Sequence, residues 1–124
     1  MISMKEFLRN GEKSGDLTEQ QRRNMYNLMA AVNVFRFYYG KPMVVTSGYR
    51  SPEYNVKIGG SPRSAHCTCK AIDIRDDGTI KQFVKDNIDL CERLGLYFEH
   101  FDHTPTWVHM TTRPPKSGNR FFRP

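Results

Sequence analysis

Apolar positions along the chain alternate between helical spacing and short β-branched runs. Ser3 and Glu6 stand three apart ahead of Phe7 and Leu8, a capping-box spacing that predicts a short helix over residues 3–9. Thr18 and Gln21 repeat that spacing. Met25, Leu28, Met29, Val32 and Phe35 then recur at helical intervals until Gly40 and Pro42 stop the pattern. This methionine and aromatic stripe reads as core. Residues 43–47 predict a strand. Residues 48–64 are rich in Gly, Ser and Pro and predict a long loop with one helical turn over residues 52–56. Long ordered loops in small domains are often functional.

Residues 71–74 predict a second strand, broken by Asp76, Asp77 and Gly78. Thr79 is placed to cap a helix over residues 80–94, with Phe83, Val84, Ile88 and Cys91 as its apolar face and Gly95 as its stop. Residues 96–101 and 107–112 predict two more strands, joined by a hairpin loop through His103, Thr104 and Pro105. Residues 113–124 predict an irregular tail. Without repeats or linkers, the sum is one α+β domain over residues 1–124, two main helices packed on a small, mostly antiparallel sheet.

A chain of 124 residues can bury a core without disulfides or structural metal, so a metal here would be catalytic. Lys and Arg number 19 against 13 Asp and Glu, a net charge of +6 that suits a polyanionic partner. Much of the excess lies in Arg113, Lys116, Arg120 and Arg123, which read equally well as a solvated tail. No helix-turn-helix signature or dense aromatic and basic pattern accompanies the charge, so nucleic acid is not expected as a partner. No apolar run reaches transmembrane length, so stable membrane insertion is not expected. The first residues lack the apolar stretch of a secretion signal, which predicts residence in a cytoplasm. An odd set of three cysteines, Cys67, Cys69 and Cys91, argues for reduced thiols. A monomer is expected.

Candidate chemistry begins with His66, Asp73 and His109. His66 and Asp73 flank a loop that enters a strand, and His109 sits in a separate strand. Two histidines and a carboxylate leave a fourth tetrahedral position for water, the donor set of catalytic zinc. Spacing alone does not make the site. A lone strand histidine is more often a hydrogen-bonded structural residue, and an Asp before a turn more often a cap.

The ordered motifs add to this. The stretch from Ser47 to Asp73 reads SGYRSPEYNVKIGGSPRSAHCTCKAID, and Trp107-Val108-His109 follows in a later strand. Over residues 1–113 the chain resembles the zinc D-alanyl-D-alanine carboxypeptidases. That family also holds phage endolysins cutting L-alanyl-D-glutamate bonds and vancomycin-resistance dipeptidases. The resemblance implies one zinc ion on His66, Asp73 and His109. It implies that Arg50 steadies the substrate carbonyl or developing oxyanion, a task suited to a guanidinium's fixed charge and donors. Ser47, Tyr49 and Ser64 would shape the substrate site, although Tyr49 could equally be packing and Arg50 a tie between loop and sheet.

Two positions depart from the family pattern. Cys69 stands where the family has a glycine, and its thiol offers zinc a second donor beside Cys67; packing is the reading favoured here. Thr106 stands where many members carry the acidic base. The nearest acids are Glu99 and Asp102, with Glu99 favoured; His100 and His103 are weaker candidates.

The expectation is a zinc peptidase that hydrolyses peptidoglycan stem peptides, a carboxypeptidase or an endopeptidase. Small size, positive charge and the N-terminal sequence suggest a phage endolysin held in the host cytoplasm until release to the wall. The alternative is a wall-binding or virion module of the same fold with a damaged site, supported by Thr106 and Cys69. A thiol enzyme using Cys67 or Cys69 with a histidine is a further alternative.

Overall fold

The two capping boxes form as the spacing predicts. In the computed structural model, which describes residues 1–9 and 16–124, the Ser3 side chain accepts from the Glu6 N–H and opens helix α1, Met4–Phe7. The Thr18 side chain accepts from the Gln21 N–H and opens α2, Glu19–Tyr39, which ends on a left-handed Gly40. Met25, Leu28, Val32 and Phe35 of α2 are buried, and Met29 packs against them partly covered.

Five strands form one sheet: β1, Val45–Ser47; β2, Ala71–Arg75; β3, Tyr97–Glu99; β4, Trp107–Thr111; β5, Phe121–Phe122. Their order is β1-β2-β4-β3-β5, antiparallel except for the parallel β3–β5 pair. The architecture is α+β. One face of the sheet carries Ile72, Ile74, Phe98, Val108 and Met110 into the core beneath the helices. Strand alternation then leaves Asp73, Glu99, Trp107 and His109 on the other face.

Three expectations need correction. The helix predicted over residues 80–94 is two helices, α4, Thr79–Asp86, and α5, Ile88–Leu94. At the break, the Asn87 side-chain amide donates to the Phe83 carbonyl at 2.9 Å, taking up a helix acceptor. Thr79 lies within α4 rather than capping it. The Asp76 carboxylate instead accepts from the Ile80 and Lys81 N–H groups, at 2.8 and 3.2 Å. Third, the tail is not irregular throughout. Phe121 and Phe122 pair with Phe98 and Glu99, and Phe121 stacks on Phe98 with ring centroids 5.7 Å apart. The turn predicted in the long loop is α3, Pro52–Lys57, capped by Ser51.

Candidate functional site

Strand register assembles half of the site. Asp73 of β2 lies directly across from His109 of β4, and Ser47 of β1 lies on Asp73's other side. The β3–β4 register pairs Phe98 with Met110; continued one position, it sets Glu99 beside His109. Ser47, Asp73, His109 and Glu99 thus form one row across the polar face.

His66 arrives by a different route. It sits in a 3₁₀ turn, Ala65–Thr68, capped by the Ser64 hydroxyl, which accepts from the His66 N–H at 3.2 Å. Helix α2 grips this turn from below. The Gln21 amide donates to the Cys67 carbonyl at 3.1 Å and the Asn24 amide to the Thr68 carbonyl at 2.9 Å. The turn closes on Cys69, whose φ of 61° is the one positive value on a non-glycine among the described residues. That is where the resembled family has glycine, and the left-handed backbone explains why.

The His66 ring is oriented by Gly48. Its Nδ1 lies 2.8 Å from the Gly48 carbonyl, which accepts, so Nδ1 carries the proton. Nε2 keeps its lone pair and faces the Asp73 carboxylate at 3.3 Å. Nδ1 of His109 lies 2.9 Å from the other Asp73 oxygen. The donor atoms of the three residues all lie within 4.8 Å of one another. A largely buried N, N, O set with one imidazole tied to a backbone carbonyl suits a catalytic zinc ion, so these residues fit the metal.

Electrostatics agree with that use. Burial pushes the His66 pKa down, against the opposing pull of Asp73, so the ring is neutral and able to ligate near neutral pH. Burial disfavours the Asp73 charge, but the His109 and His66 rings beside it more than offset this and hold the carboxyl well below the usual range. Neither Cys67 nor Cys69 belongs to the donor cluster found among the described residues. Burial, with Cys67 nearby, pushes the Cys69 thiol up to about 12, so it stays protonated. That weakens both a sulfur-rich metal site and a thiol nucleophile at Cys69.

Arg50 crosses the row. It donates to the Ser47 hydroxyl at 3.0 Å, the Asn55 carbonyl oxygen at 3.4 Å and the Asp73 carboxylate at 3.4 Å. Asn55 is itself buried and donates to the Ser61 carbonyl at 2.7 Å, which fixes the loop carrying Arg50.

A cleft of about 700 Å³ opens over the site, lined by Arg50, Ser64, His66, Asp73, Glu99 and His109. Asp102 lies outside it, exposed and paired with His100 at 3.3 Å and Arg123 at 3.5 Å. Tyr49 also lies outside, buried in the core. Ser47 reaches the site through Arg50.

Several lining residues escape sequence reasoning: Arg63, Trp107, Arg113, Lys116, Phe122 and Pro124. The Phe122 ring meets His109 edge-on at 6.0 Å. The run of Arg, Pro and Lys after the last predicted strand is the signal for Arg113 and Lys116, and it reads as a tail until β5 folds it back.

A model of the family described as Peptidase M15 matches residues 2–111. No curated protein and no solved structure matches the chain.

Proposed function

The chain belongs to the Peptidase M15 family of zinc metallopeptidases, and from that premise we propose that it hydrolyses peptidoglycan stem peptides as a phage endolysin. The observation that carries the reading is Glu99 standing in one cleft with His66, Asp73, His109 and Arg50. On this proposal, His66, Asp73 and His109 would hold the zinc ion, which would supply a nucleophile at neutral pH and polarise the scissile carbonyl.

The chain's own residues do the rest. Glu99 takes a proton from the attacking water on a carboxylate oxygen and passes it to the leaving amine nitrogen. Arg50, already tied to Ser47 and Asn55, offers its guanidinium to the oxygen that gains charge. Gly48 holds the His66 tautomer and Asp73 holds the His109 ring. Of the two acids left open by the sequence, Glu99 is favoured because it lines the cleft and Asp102 does not. Beyond Asp73 and Trp107 lies a second hollow of about 420 Å³, lined also by Thr46, Arg75, Asp76 and Asp77. Room beyond Asp73 as well as in the main cleft supports an endopeptidase. Residence in the host cytoplasm before release to the wall, as a monomer, completes the proposal.

Mass spectrometry of purified muropeptides tests it. Zinc-loaded protein should release peptide fragments whose masses name the bond. Chelator should stop the release, readded zinc should restore it, and Glu99→Gln should slow it by about 100-fold or more with zinc content unchanged. Intact muropeptides after incubation with protein holding one zinc per chain would instead favour a catalytically impaired wall-binding module.

A further inference from the structure

The segment after the last family-matched residue forms one wall of the cleft. Residues 113–124 lie beyond the matched stretch, 2–111, yet Arg113, Pro115, Lys116 and Phe122 line the same cleft as the metal residues. The wall is fastened along its length. The Arg113 guanidinium donates to the Arg63 carbonyl at 2.9 Å, joining the segment to the long loop. Arg120 donates to the Leu96 carbonyl at 2.8 Å and lies over the Tyr97 ring, 4.3 Å from its centroid. The Phe98 N–H donates to the Arg120 carbonyl at 2.8 Å, and the His100 N–H to the Phe122 carbonyl at 2.7 Å. Arg123 pairs with Asp102 at 3.5 Å.

The charges on this wall lack counterparts. The cleft holds Arg50, Arg63, Arg113 and Lys116 against Asp73 and Glu99. Asp73 is engaged by Arg50 and the two histidines. Among the described residues, no acidic side chain pairs with Arg63, Arg113 or Lys116. Cations gathered at a concave, partly apolar wall without an acidic partner among the described residues suit an anionic group on a ligand.

We infer that Arg63, Arg113 and Lys116 form a recognition site for a carboxylate of the peptide substrate, separate from the scissile carbonyl. The inference rests on the peptidase reading. The three residues bind and do not react. A planar guanidinium matches a carboxylate two-point, and Lys116 adds a mobile charge. The site selects peptides that carry a free acid over the same peptides with that acid amidated.

The test uses zinc-loaded full-length protein and two synthetic stem peptides identical except for free or amidated side-chain carboxylates. Trp107, the chain's single tryptophan, lines the cleft. Its stopped-flow fluorescence reads binding before turnover. The acid peptide should bind about tenfold tighter, the order expected of one charge-assisted pair. That ratio should fall towards one in Arg113→Gln/Lys116→Gln, and also as salt is raised. Lys116→Glu, a single exposed change, should lower the ratio as far and guards against a folding defect in the double variant. Equal binding of the two peptides by the wild type overturns the inference, as does an undiminished preference in Lys116→Glu. Preserved preference without hydrolysis of either peptide sinks the peptidase reading and leaves the carboxylate site standing.

Discussion

The two halves of the metal-binding cluster are held by different physics. Asp73 and His109 sit on neighbouring strands, where a ladder of backbone hydrogen bonds sets their separation. His66 sits in a short turn, where separate contacts with Gly48, Ser64, Asn24 and Gln21 set its place. A ladder shares strain over many bonds, so a side chain on it can change without moving its neighbours. A turn held by single bonds transmits each loss directly to the ring it carries.

The largest expected effect removes a ligand from the ladder. Asp73→Asn should lower zinc affinity by more than the roughly 100-fold typical of losing an outer-shell partner, and abolish hydrolysis. The circular dichroism of the strands should stay as it is; a collapsed spectrum would mean the ladder does not carry the site. Next comes the turn's anchor. A Cβ on Gly48 would stand 2.1 Å from the Phe7 carbonyl oxygen. Gly48→Ala should therefore cost about 3 kcal/mol in denaturant unfolding and weaken zinc binding together. Loss of stability with unchanged zinc affinity would separate the anchor from the ring.

Cys69 gives a smaller, signed effect. A β-branched side chain tolerates its left-handed backbone poorly, so Cys69→Val should destabilise by about 2 kcal/mol. Cys69→Gly relieves the backbone but empties a buried space, and the two should offset to within about 1 kcal/mol. Asn24→Ala should cost about 1 kcal/mol through the lost bond to the Thr68 carbonyl, with faster zinc loss to a chelator. Unaltered release would show that α2 only supports the turn without steadying His66.

The smallest effect is on pH. The folded pKa values of His66 and Asp73 both lie below their ordinary values. Each therefore binds protons less readily folded than unfolded. The stability His66 contributes is present above its ordinary value of about 6.5 and is lost as pH falls through the folded one; Asp73 follows at lower pH. The melting temperature of metal-free protein should decline on acidification from pH 7. A flat profile down to pH 4 would contradict the burial of His66.

What the sequence discloses follows the range of the interactions. Ser3 with Glu6 and Thr18 with Gln21 are local pairs, and both helix starts are legible. His66, Asp73 and His109 are legible because ordered motifs surround them, since spacing alone leaves each with an ordinary structural role. The break at Asn87 is hidden because Phe83, Val84, Ile88 and Cys91 continue an apolar pattern across it. β5 is hidden because two residues carry no periodicity and depend on pairing with a strand twenty-three positions earlier. With β5 went the cleft wall. The placement of Glu99 and Asp102 on opposite sides of the cleft boundary needs the β3–β4 register, which no local pattern encodes.

The sheet's margins bear on how the protein behaves in crowded solution. One margin is β1, three residues long and irregular in register between Val45 and Ser47. The other is β5, two residues long and followed at once by Arg123 and Pro124. Short, kinked margins closed by a charge and a proline offer little template for a strand from another molecule. This basic protein is thereby guarded against edge-to-edge aggregation by its backbone as well as by its charge.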